Sequence, residues 1–97
     1  MLPRLKVEPY YQTVCENKPV TLSCVVEEGT PQPVVIWIRS SDGTELVKSQ
    51  SKDTKYRIDK VEKYHTGNYS CFATNAAGNV GKTVSLHVES KYKNYCN

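Results

Sequence analysis

The chain has 97 residues, which fits one domain with a small core. Apolar residues are 38% and charged residues 24%, and the formal net charge of +3 gives no basis for obligate nucleic-acid binding or for disorder. The longest apolar run, Val34-Val35-Ile36-Trp37-Ile38, is far short of the ~20 residues a membrane helix needs, so direct membrane insertion by this segment is excluded.

In chain order, the opening Met1-Leu2-Pro3-Arg4-Leu5-Lys6 lacks the apolar stretch of a signal peptide. A removed signal, an excised piece with an added Met1 and a cytosolic protein all remain open. Val20, Leu22, Cys24 and Val26 alternate with Thr21, Ser23 and Val25, the two-residue period of a strand with one buried face. Val35 and Trp37 continue that pattern, followed by Tyr56 and Ile58, then Tyr69, Cys71 and Ala73, then Val84, Leu86 and Val88. Glu28–Pro33, Ser41–Thr44 and Asn75–Asn79 carry the turn residues between these runs. No segment has a useful helical period, and there are no internal repeats. Many short strands separated by turns predict an antiparallel all-β sandwich or barrel.

The four cysteines are Cys15, Cys24, Cys71 and Cys96. None forms a CxxC pair, which argues against structural zinc, and an even count in a short chain favours disulfides and an oxidising compartment. Spacing alone leaves all three pairings open.

Cys24, Trp37 thirteen positions later, and Cys71 with Tyr69 two positions before it resemble the framework of immunoglobulin domains. The resemblance spans residues 5–89. Gly29-Thr30-Pro31-Gln32-Pro33, Ile58-x-x-Val61 with Gly67-x-Tyr69-x-Cys71, and Ala73–Gly78 are similar to segments of the I-set (C2-like) group. It implies an immunoglobulin-like antiparallel β-sandwich of Greek-key, I-set type, a single domain over 1–97 with residues 90–97 as tail or linker. It further implies a Cys24–Cys71 bond across the core, contributing about 3–4 kcal/mol on the chain-entropy account. Trp37 would pack against that bond, and the Tyr69 hydroxyl would return to the backbone at the corner. Gly78 would take a positive φ, and Asn17 stands where the family often has Gly. His65 departs from the family, which usually has Asp there. Cys15 and Cys96 are extra. Because the fold's first and last strands run side by side, a tail that doubles back brings Cys96 to Cys15. Bonds to a neighbouring domain or partner chain, or free thiols, are the alternatives.

No nucleophile–base motif, metal-ligand spacing or phosphate loop is present, so neither catalysis nor a cofactor or metal site is expected. His87 falls at an outward phase and reads as a surface residue. Three surface features are candidates for binding. Val34, Ile36 and Phe72 lie at outward phases of strands that are neighbours in this fold, which predicts an exposed apolar patch for a protein partner, homophilic or heterophilic. Asn68-Tyr69-Ser70 is an N-glycosylation acceptor motif, with the weaker Asn94-Tyr95-Cys96 competing with a disulfide. Lys48, Lys52, Lys55, Arg57, Lys60 and Lys63 make a basic segment that could meet a glycosaminoglycan, or simply guard a sheet edge.

The reading that joins these features is an extracellular, non-catalytic recognition module of a cell-surface adhesion protein or receptor, secreted or membrane-anchored as part of a larger chain. An intracellular structural module of muscle-filament type and a receptor tyrosine kinase ectodomain contacting a glycosaminoglycan are the alternatives.

Overall fold

The structure is a computed structural model that describes residues 1–96. Eight strands form two sheets. These are β1 (Arg4–Glu8), β2 (Tyr11–Cys15), β3 (Val20–Glu28), β4 (Val34–Arg39), β5 (Glu45–Ser49), β6 (Asp53–Ile58), β7 (Gly67–Asn75) and β8 (Gly78–Glu89). One sheet has the order β1-β3-β6 and the other β2-β8-β7-β4-β5. The non-helical reading holds apart from two single 3-10 turns, Lys63–His65 and Asn94–Cys96.

The two-residue period decides which face each strand buries. In β3, Val20, Leu22, Cys24 and Val26 are buried while Thr21, Ser23 and Val25 are half-buried. In β7, Tyr69, Cys71 and Ala73 face inward, and in β8, Val84, Leu86 and Val88 do so. With Val35, Trp37, Ile58 and Val61 these residues make one continuous core between the sheets. Val61 is fully buried although it lies outside any strand.

Cys24 in the three-stranded sheet is bonded to Cys71 in the five-stranded sheet, with a Cα–Cα distance of 6.4 Å. Trp37 lies opposite Cys71 on the adjacent strand β4, and its Nε1–H donates to the Thr54 carbonyl of the other sheet at 2.9 Å. The indole therefore fills the core and ties β4 to β6. The Tyr69 hydroxyl donates to the His65 carbonyl at 2.6 Å, closing the turn before β7. Asn17 has φ 69° and Gly78 φ 148°. A Cβ on Gly78 would meet only Leu2 Cδ2, the end of an exposed side chain that can move aside, so it is the φ that calls for glycine there.

The N-terminal segment crosses from one sheet to the other. β1 pairs with β3, the chain turns at Pro9-Tyr10, and β2 then pairs in parallel with β8. Proline lacks a backbone N–H for the ladder, which suits it to that break.

Candidate functional site

The two outer faces of the sandwich differ in chemistry. On the three-stranded sheet the solvent side is laced with charges that satisfy one another. Lys6 pairs with Glu8 at 2.9 Å, Arg4 with Glu28 at 3.0 Å, Lys55 with Asp53 at 2.9 Å and Arg57 with Asp59 at 2.8 Å. The hydrogen bond from Lys6 to Glu8 raises the Lys6 pKa. Lys55 also donates to Ser23 Oγ, and Arg57 to Thr21 Oγ1.

The five-stranded sheet presents a different surface. Ile36 in β4 lies directly opposite Phe72 in β7, and Phe72 lies opposite Gly81 in β8. Val34 and Ile38 flank Ile36 at the same phase. On the β7 and β8 side of this apolar centre stand Ser70, Thr74 and Thr83, while on its other side exposed Lys48 of β5 lies directly opposite Ile36 and Glu45 opposite Ile38, so charge begins at the edge strand. A partner-facing core depleted of charge is the compositional mark of protein interfaces.

The apolar residues are less open than their phase predicts. Val34, Ile36, Ile38 and Phe72 are half-buried rather than exposed. For Phe72 the reason lies in Gly81. A Cβ built there would sit 2.5 Å from the Phe72 ring, so the ring lies across the bare glycine backbone and shares its area with β8. Aromatic cover of a strand glycine stabilises the sheet and flattens its surface. Gly81 is a residue the sequence reasoning missed; a lone glycine inside a strand pattern was the available signal.

The six basic residues do not gather into one site. Lys48 is on β5 of one sheet, Lys55 and Arg57 are on β6 of the other, and Lys52, Lys60 and Lys63 lie in the connections and the first 3-10 turn. Lys55 and Arg57 are already engaged by aspartates. The segment is contiguous in sequence and divided in space.

Asn68 is exposed at the start of β7, and its Oδ1 accepts a hydrogen bond from Ser85 Oγ at 2.8 Å. The Ser70 hydroxyl of the same motif is buried between Ser40 Oγ at 2.8 Å and Thr83 Oγ1 at 2.9 Å. His65 contributes its Nδ1 as acceptor for the Glu62 N–H at 2.8 Å, the service a corner carboxylate would perform. His87 is exposed and meets Glu89 at 2.6 Å.

Cys15 is bonded to Cys96, with a Cα–Cα distance of 5.6 Å. The tail after β8 doubles back to make this contact. The Lys91 N–H donates to Glu16 Oε1 at 3.0 Å, and the Glu16 N–H to the Glu89 carbonyl at 2.9 Å. Tyr95 adds a hydrogen bond to Glu89. None of the four cysteines is free. Among the described residues no cluster of His, Cys, Asp or Glu has metal-binding geometry, and no helix is long and apolar enough to cross a membrane.

Comparisons with known proteins agree with this architecture. The immunoglobulin-domain family model matches residues 3–75. The chain is 36% identical to mouse (Mus musculus) hemicentin-1 over 81 residues, covering 79% of this chain and 1% of that protein. It is 33% identical to Drosophila melanogaster neuroglian over 94 residues, covering 93% of this chain and 7% of that protein. The chain thus spans a small fraction of these relatives' length. Among solved structures, the N-terminal four immunoglobulin domains of Dscam1 isoform 4.44 superpose with a TM-score of 0.73 at 27% identity, covering 88% of this chain and 20% of that one. A titin M10–obscurin-like 1 immunoglobulin complex superposes with a TM-score of 0.76 at 26% identity, covering 91% and 94%. Non-catalytic by family, and built on a cross-braced core with a tyrosine-closed corner, the chain belongs to the immunoglobulin domains.

Proposed function

We propose that this domain is a protein-recognition module of the extracellular part of an adhesion protein or receptor, and that it binds through the outer face of the five-stranded sheet. The observation that carries the reading is the cross-strand Ile36–Phe72 pair, bordered by uncharged residues on β7 and β8 and by exposed Lys48 on β5, while the opposite face neutralises its own charges. Apolar contact area with a polar rim supplies burial, while the exposed Lys48 at its edge keeps its charge in solvent. The sandwich is rigid, stapled by Cys24–Cys71, so little conformational entropy is lost on docking. Similarity to hemicentin-1 and neuroglian supports an adhesion or receptor setting. Two disulfides support an oxidising compartment.

The test is a binding screen of the chain, displayed on beads, against a panel of cell-surface ectodomains and against itself. Ile36→Lys places a charge at the centre of the face and is expected to abolish whichever contact the screen returns, with the thermal midpoint little changed. Unchanged binding in a folded Ile36→Lys variant overturns the face assignment.

A second reading, an intracellular filament module, is favoured by the titin-containing neighbour. Thiol titration of the denatured, unreduced protein from its native source separates the two. The extracellular reading expects no free thiols and the intracellular one expects up to four.

A further inference from the structure

We propose that Asn68 carries an N-linked glycan, and that this glycan covers the corner end of the five-stranded face and leaves the Ile36–Phe72 centre open to a partner. The proposal rests on the extracellular reading for its compartment and on geometry for its site. Asn68-Tyr69-Ser70 has a hydroxyl residue at the third position and no proline between, as the transferase requires. Asn68 is exposed, and its carbonyl-side oxygen is held by the Ser85 hydroxyl at 2.8 Å. That bond leaves the Nδ2 nitrogen, the atom a glycan would occupy, turned away from β8. Folding consumes the Ser70 hydroxyl in bonds to Ser40 and Thr83, so the motif is available to the transferase while the chain is still extended.

Position decides the consequence. Asn68 and Phe72 share the outer phase of β7, four residues apart, which is about 13 Å along the strand. A glycan rooted at Asn68 stands over Ser85 and the Ser40 end of β4, while Val34, Thr74 and Asn79 lie at the far end beyond Phe72. The covered end is the polar one and the open end holds the apolar pair. The competing motif at Asn94 places its third residue, Cys96, in a disulfide.

The experiment is translation of the chain behind a cleavable signal sequence in the presence of microsomes, which supplies the compartment and so tests the acceptor independently of where the natural protein resides. One endoglycosidase-sensitive species is expected for the unmodified sequence and for Asn94→Gln, and none for Asn68→Gln. A glycan that survives Asn68→Gln, or no glycan on the unmodified sequence, overturns the proposal. The shielding is read on secreted chain before and after enzymatic deglycosylation, by accessibility to a hydroxyl-radical footprint. Removal of the glycan is expected to raise labelling at His87 and leave Phe72 unchanged. Increased labelling at Phe72 overturns the claim that the centre is left open.

Discussion

Thr54 sits in the core with its hydroxyl oxygen unpartnered among the described residues, while its carbonyl accepts the Trp37 indole. An unmet buried hydroxyl costs stability that an isosteric methyl does not. Thr54→Val is therefore expected to stabilise the fold by about 1 kcal/mol. A rise in the denaturant midpoint at constant slope checks this, and a fall would mean that the hydroxyl is satisfied. Tyr69 makes the opposite case, since its hydroxyl is bonded to the His65 carbonyl. Tyr69→Phe should cost about 1 kcal/mol. Burial holds the Tyr69 pKa above its ordinary 10.0, with the neighbouring Tyr56 adding to the effect. The folded state thus keeps a proton that the unfolded chain releases. That contribution is complete below about pH 10 and is lost as pH rises through the folded-state value. Stability curves above pH 10 should therefore fall less steeply for Tyr69→Phe than for the unmodified chain, and parallel curves would contradict the assignment. At Gly81, an added methyl collides with the Phe72 ring. Gly81→Ala should cost roughly 1–3 kcal/mol in the presence of Phe72 and little when Phe72 is also alanine, a coupling that a double-mutant cycle measures directly.

At the scale of elements, the tail is the unusual part. Cys15–Cys96 closes a loop of 81 residues around a domain already stapled by a loop of 47. Because Cys24–Cys71 has removed much of the unfolded chain's freedom, the second bond adds less than it would alone. The Cys15→Ser, Cys96→Ser double variant should remain folded and lose about 2–4 kcal/mol. Lost hydrogen-exchange protection should concentrate at Glu16 and Lys91, whose N–H bonds hold the tail in place. Loss spread over β3 and β7 would instead make this bond part of the core brace. The edge of β8 shows a second device. β2 pairs with β8 only from Ser85 to Glu89, so Gly78–Val84 has an open ladder on that side. Lys82, opposite Cys71 in register yet exposed, puts a charge beside that open stretch, a known guard against edge pairing.

Alternation was legible in the sequence where the core sets it, along β3, at Tyr69, Cys71 and Ala73 in β7, and at Val84, Leu86 and Val88 in β8. β5 was not legible. Its residues are exposed, half-buried, half-buried, exposed and half-buried, which leaves no two-residue period to read. The break between β1 and β2 was missed because changing sheets at Pro9 is a tertiary event with only a proline as local sign. In the candidate site, the outward phase of Ile36 and Phe72 followed from the inward phase of Trp37 and Cys71. The degree of exposure of Phe72 did not, because it depends on Gly81, which only the β7–β8 register brings under the ring. The basic segment is contiguous in sequence, but the β5–β6 connection assigns its strand residues to different sheets, a tertiary division that sequence neighbourhood does not carry.

For the whole molecule, function rests on an asymmetry between two faces, one saturated by its own ion pairs and one apolar at its centre. Its most direct measurement is a deep mutational scan of the displayed domain, sorted in parallel for folding and for capture by the ectodomain, or second copy, that the bead screen returns. Substitutions that spare folding but abolish capture are expected to cluster at Val34, Ile36 and Phe72. A cluster at Lys6, Thr21, Lys55 and Arg57 on the three-stranded sheet, with Ile36 tolerant of charge, would contradict the account.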